Sequence, residues 1–248
     1  ATNIGRGAGA LFAFSRLLKP GSRIDIQARH LKIDRVLIAR MARMAWSAAT
    51  QLLIGMGSWI ALVRILSTYG STVIAGYTIG IRIVLFALLP SAGLANAAAT
   101  MVGQSLGAGK PERAEESVKI AGWYNCIVLS VVGAVVAIFA PAIARLFTPD
   151  PAIVPVATSA LRWIAIGFPF DGWGMVTSQA LNGAGDTKTA TWLNLFVFWC
   201  WEIPLGYAAK ALGFGPTGIF MAISIAFATY AVAGWLVFRR GGWKTRRI

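Results

Sequence analysis

Four ionisable side chains lie within long apolar stretches of this sequence: Arg82, Arg162, Asp171 and Glu202. An ionisable group in hydrocarbon costs about 2.5 to 3.5 kcal/mol on insertion scales, so each needs a partner or a task. Asp171 is the leading candidate, because the string FPFDGW sets it two residues after Pro169 and ten before Leu181, well inside an apolar segment. Burial favours a neutral acid and a neighbouring cation favours the carboxylate, so a proton and a cation compete for such a group. Its alternative role is as a structural partner of Arg82 or a helix-end carboxylate. Glu202, in WCWEIP, lies 14 residues past Lys188 and two before Pro204, whose missing N–H frees a carbonyl that a cation can use. Arg162 and Asp171 are nine residues apart, about 180° round an ideal helix, so they are not expected to pair, and Arg162 is expected to snorkel outward. Tyr77, Gln179, Asn194 and Tyr207 are the uncharged polar candidates.

Six elements must position these groups. Apolar stretches run roughly over 45–66, 72–97, 120–144, 152–180, 189–209 and 215–238, each near the length of about 20 residues that crosses the hydrocarbon. The fourth is longer than needed, so a tilt or a kink at Pro169 is expected. Of 248 residues, 57% are hydrophobic and 13% charged, with mean hydropathy +0.66. A soluble domain carries about a quarter charged residues, so lipid must cover this chain. The expected fold is an all-α membrane protein, a bundle of six transmembrane helices preceded by an amphipathic linker helix.

The formal charge of +14 raises nucleic acid as a partner, and its placement excludes it. Seventeen Lys and Arg fall in 16–43, 104–119, 181–188 and 239–248, whereas the alternate connections hold only Arg145 and Lys210. That alternation is the positive-inside pattern, which puts the linker and the tail RRGGWKTRRI in the cytoplasm, against anionic lipid rather than in one groove-sized patch. Residues 1–18 read as the end of a preceding transmembrane helix, 19–43 as a cytoplasmic amphipathic linker, 44–238 as the six-helix lobe and 239–248 as a basic tail. Lys19-Pro20-Gly21 breaks the first helix, and Ile24, Leu31 and Ile38 recur at intervals of seven among basic residues. His30 is read as a solvated linker residue. Trp46, Trp163 and Trp243 suit an aromatic belt. Cys126 and Cys200 lie within spans and suggest neither a disulfide framework nor a metal site. An enzyme would need a nucleophile and base or a metal-ligand cluster near the membrane surface; no such set is found, and no cofactor is expected.

Two loops carry a family resemblance. GLANAAATMVGQSLGAGKPERAEES (93–117) and SQALNGAGDTKTATWLN (178–194) resemble loops of the second six-helix repeat of multidrug and toxic compound extrusion (MATE) transporters, with WCWEIPLGY (199–207) a weaker third match. The resemblance implies two six-helix lobes around a central cavity and export of cationic or amphiphilic small molecules in exchange for sodium ions or protons. It implies that this chain is the second lobe, partnered by an N-terminal six-helix half, in the inner membrane. Position 171 matches the ion-coupling Asp of some members. Where some members carry a Glu in the first helix of this half, this sequence has Gln51, which weakens a sodium reading. The resulting site set is Asp171, Glu202, Gln51, Arg82, Tyr77, Gln179 and Asn194. The alternatives are a lipid-linked sugar flippase of the same superfamily and a non-transporting membrane scaffold.

Overall fold

A backbone in lipid must satisfy its polar groups within each segment, and this chain does so as helix. The computed structural model describes residues 2–17 and 34–245, and among these there is no strand. The helices are α1 (Thr2–Leu17), α2 (Arg35–Leu66), α3 (Ser71–Gly107), α4 (Pro111–Phe147), α5 (Ile153–Gly183), α6 (Thr187–Leu195), a π-helical turn (Phe196–Glu202), α7 (Ile203–Ala211) and α8 (Gly215–Arg239). Two compact units emerge, Ala1–Met44 and Ala45–Ile248. In the first, Arg16 lies over the Phe12 ring at 5.3 Å, near the end of α1. The break at Lys19-Pro20-Gly21, the repeat positions Ile24 and Leu31, and His30 lie outside the described residues.

Among the described residues of the second unit, five helices are long and apolar enough to cross a membrane. The remaining expected span, 189–209, is Thr187–Ala211, divided by the π-helical turn into three consecutive pieces. The helix α3 runs to Gly107, ten residues past the apolar segment that the sequence suggests. Its extra turns bury Ala98, Val102 and Ser105, so small side chains keep it helical by packing where hydropathy has faded.

At the centre stands α5, packed against α3, α4 and α8. Glycines permit this. A Cβ at Gly172 would meet Leu129 Cδ1 of α4 at 3.0 Å, and one at Gly174 would collide with the Tyr230 ring of α8. Prolines inside helices leave carbonyls without their usual donor, and the neighbours respond. Pro141 frees the carbonyl of Ala137, to which Arg162 Nε donates at 3.3 Å. Arg162 is therefore exposed, as expected, but held by a backbone oxygen of α4. Two loops end in the same way: Gly109 (φ 69°) and Gly185 (φ 78°) adopt left-handed backbone and close α3 and α5, their N–H groups bonding to Leu106 and Asn182 carbonyls.

Beyond α8 the chain folds back. Trp243 stacks on Phe238 at 4.7 Å, donates Nε1–H to the Phe238 carbonyl at 2.8 Å and is 1% exposed. It is a core residue rather than a member of an aromatic belt. Lys244 Nζ meets Glu115 of α4 at 2.6 Å, and Lys119 meets the same carboxylate at 2.9 Å.

Candidate functional site

Asp171 sits midway along α5 and is 4% exposed. The glycines at 172 and 174 bring α4 and α8 against the helix on either side of it. Asn125 of α4 fixes the depth of this contact: its Nδ2 donates to the Gly172 carbonyl at 2.8 Å and to Ser91 Oγ of α3 at 2.9 Å. Among the described residues no Lys or Arg forms an ion pair with Asp171. Arg82 is exposed on α3, and the structure does not bring it to this carboxyl.

Glu202, 2% exposed, closes the π-helical turn and accepts a hydrogen bond from Ser58 Oγ of α2 at 2.5 Å. Tyr77 of α3 is 2% exposed, and its hydroxyl has no hydrogen-bond partner among the described residues. The register between α2 and this turn is set one helical turn away. Trp199 Nε1 donates to the Ile54 carbonyl at 2.9 Å, and a Cβ at Gly57 would lie 2.7 Å from Trp199 Cζ2.

A second group is uncharged. Gln51 and Asn182 exchange two amide hydrogen bonds, each 3.1 Å. Asn182 Nδ2 also donates to Gln179 Oε1 at 2.7 Å, and Gln179 Nε2 donates to Asn96 Oδ1 at 2.9 Å. Asn194 Nδ2 reaches Gln51 Oε1 at 3.4 Å and Ser178 Oγ at 3.5 Å, with its strongest bond to the Ala190 carbonyl at 2.9 Å. Ser178 lies two turns along α5 from Asp171. A polar track thus follows the end of α5 from Ser178 to Asn182. Amide groups can both donate and accept, so the track can exchange partners without a change of charge.

The candidates therefore divide. Asp171, Glu202 and Tyr77 are each buried, and Gln51, Gln179 and Asn194 share one hydrogen-bond network. Tyr207 is exposed on α7. The sequence reading missed Ser58, Asn96, Asn125, Ser178, Asn182 and Tyr230. Ser58 had a signal, since it falls seven residues after Gln51 on the same face of α2; Asn125 had none. Among the described residues no group of three or more His, Cys, Asp or Glu is placed to hold a metal.

The same helices recur in known proteins. An outward-facing multidrug resistance MATE transporter of the MOP superfamily superposes with TM-score 0.90 at 24% identity, covering 98% of this chain and 55% of that one. A MOP superfamily transporter from Pyrococcus furiosus superposes equally well, TM-score 0.90 at 23% identity, over 98% and 56%. In sequence, the probable multidrug resistance protein YpnP of Bacillus subtilis is 26% identical over 210 residues, which is 85% of this chain and 47% of that protein. The probable multidrug resistance protein NorM of Mannheimia succiniciproducens is 27% identical over 173 residues, 68% of this chain and 37% of its own length. The chain thus spans less than half the length of these two relatives. Residues 47–208, which include Gln51, Ser58, Tyr77, Asp171, Asn194 and Glu202, match MatE, and this multi-pass membrane protein belongs to the MatE family.

Proposed function

We propose that the chain is one lobe of a multidrug efflux antiporter. It exports cationic or amphiphilic small molecules in exchange for sodium ions or protons, and it works by alternating access with a complementary six-helix half. The reading places the assembly in the cell membrane, with the linker and the basic tail on the cytoplasmic side. The observation that carries it is Asp171, a carboxyl buried at the middle of α5 with no basic partner among the described residues. A group so placed is costly to ionise unless a cation accompanies it. Cargo and coupling ion then exclude one another at a single carboxyl, which links their movements. The polar track at the end of α5 offers cargo a set of neutral hydrogen-bonding groups that starts two turns from that carboxyl.

The test is gradient-driven transport in proteoliposomes holding this lobe with its complementary half. Under an imposed proton or sodium gradient, the native assembly moves a cationic dye and the Asp171→Asn assembly does not. Transport by Asp171→Asn at the native rate removes Asp171 from the mechanism.

A further inference from the structure

Three tryptophans from three helices meet at one seam. The Trp123 ring of α4 and the Trp173 ring of α5 stand edge to face with centroids 5.4 Å apart, and Trp173 meets Trp235 of α8 in the same way at 5.6 Å. Gly122 makes room for the middle ring, since a Cβ there would lie 2.8 Å from Trp173 Cζ3. Although α5 is the central helix, Trp173 is only half-buried, as is Trp235, and Trp123 is 62% exposed. The seam between α4 and α8 is therefore open on its outer side, with indole for a floor. Asn182, the hub of the amide network, lies nine residues after Trp173, about 180° round the helix. The seam thus opens on the side of α5 away from the groups offered to cargo.

A cation stands one turn beyond each outer ring. Lys119 precedes Trp123 by four residues on α4, and Arg239 follows Trp235 by four on α8, so each cation shares the face of its ring. The contact of Lys244 with Glu115 at 2.6 Å brings the end of α8 to the start of α4, which puts both cations at the same end of the seam. Lys244 is itself a third, its Nζ lying 5.6 Å from the centre of the Trp243 ring. Glu115 also holds Lys119 at 2.9 Å, and the Lys119 side chain remains 49% exposed. Three cations therefore gather around one carboxylate, and the surplus is positive.

We propose that this seam binds one anionic phospholipid, with its phosphate among Lys119, Arg239 and Lys244 and its chains against Trp123, Trp173 and Trp235. The ammonium and guanidinium groups hold phosphate oxygens by charge-assisted hydrogen bonds. One turn deeper, about 6 Å along the axis, the indoles occupy the layer of the glycerol esters, where such rings are favoured. Basic groups between membrane helices at one surface suit acidic headgroups. Free phosphate would meet only exposed charges that salt screens, and a zwitterionic headgroup would bring a cation to a site already positive. The inference rests on α4 and α8 crossing a bilayer and not on the efflux reading.

The test is lipid retention by this chain in detergent, read by native mass spectrometry and by the thermal unfolding midpoint. The probes are dioleoyl-phosphatidylglycerol, dioleoyl-phosphatidylcholine and inorganic phosphate. Phosphatidylglycerol is expected to be retained in preference and to raise the midpoint, while phosphatidylcholine and phosphate leave the midpoint unchanged. Lys119→Gln combined with Arg239→Gln is expected to weaken phosphatidylglycerol retention by about tenfold or more. Arg113→Gln, six residues before Lys119 and about 120° round α4 from it, is expected to leave retention as it was. Equal retention of the two lipids overturns the proposal, as does a midpoint shift by phosphate alone that matches phosphatidylglycerol. Equal losses in Arg113→Gln and in the double variant also overturn it, because surface charge in general would then hold the lipid. Should the double variant fail to fold, Lys119→Gln alone is expected to lose about fivefold, and no loss in it overturns the site. Lipid retention is read without a gradient, so failure of the efflux assay leaves it intact, and the converse holds.

Discussion

Asn125 of α4 donates to the carbonyl of Gly172 at 2.8 Å, one residue beyond Asp171. The same amide nitrogen reaches Ser91 of α3 at 2.9 Å, so one side chain ties three helices at the level of the Asp171 carboxyl. Asn125→Leu removes both bonds and is expected to lower stability by about 1–3 kcal/mol. Loss of coupled dye transport should accompany it, since α4 no longer fixes the depth of Asp171. Thermal unfolding in detergent and the transport assay check the two effects separately.

Arg162 and Pro141 should be energetically coupled. Arg162→Leu leaves the Ala137 carbonyl without a donor and is expected to cost about 1–3 kcal/mol. In a Pro141→Ala background the N–H restored at position 141 can serve that carbonyl, so the same substitution should cost less. A coupling energy of about 0.5–3 kcal/mol in a double-mutant cycle is expected. Strict additivity of the two changes would show that the guanidinium is held for another reason.

Trp243 anchors the return of the chain after α8. Trp243→Ala removes its ring from Phe238 and weakens the approach of Lys244 to Glu115. Limited trypsin digestion should then cut at Arg239 or Arg240 faster than in the native protein, by about tenfold for each 1.4 kcal/mol lost from the docked state. Lys244→Ala alone should change the rate by less than about fivefold, because exposed ion pairs contribute about 1 kcal/mol or less.

Gly174→Val should be poorly tolerated. A side chain there collides with the Tyr230 ring, and overpacking of this kind costs about 1–3 kcal/mol. The unfolding midpoint is expected to fall, and Tyr230→Ala in the same chain is expected to recover part of the loss. No recovery would mean that the strain lies elsewhere.

Much of the architecture was legible because lipid imposes a simple demand on composition. The six apolar stretches reappear as helices or helical runs, and the turns at Gly109 and Gly185 fall within the two loop motifs. Hydropathy set the wrong end for α3, because packing by Ala98, Val102 and Ser105 keeps the chain helical after apolar character declines. The π-helical turn was invisible, since FVFWCWE has nothing that distinguishes it from ordinary apolar helix. Asp171 could be singled out by its isolation in an apolar run. Its neighbours could not: Asn125, Ser91 and Tyr230 come from other helices, and a single sequence carries no record of which helices touch. Arg82 illustrates the same gap, since an intramembrane cation invites a carboxylate partner, yet the rotation of α3 leaves it on the exposed face.

The π-helical turn from Phe196 to Glu202 turns a count of residues into an angle. Each residue added within a helix rotates everything after it by about 100° relative to what came before. With Trp199 locked to Ile54 upstream, the wider turn decides the direction in which the carboxyl at its end points. Removing Cys200 or Trp201 would therefore swing that acid away from α2 while leaving the other side chains unaltered, so here a single codon carries the aim of a buried carboxyl.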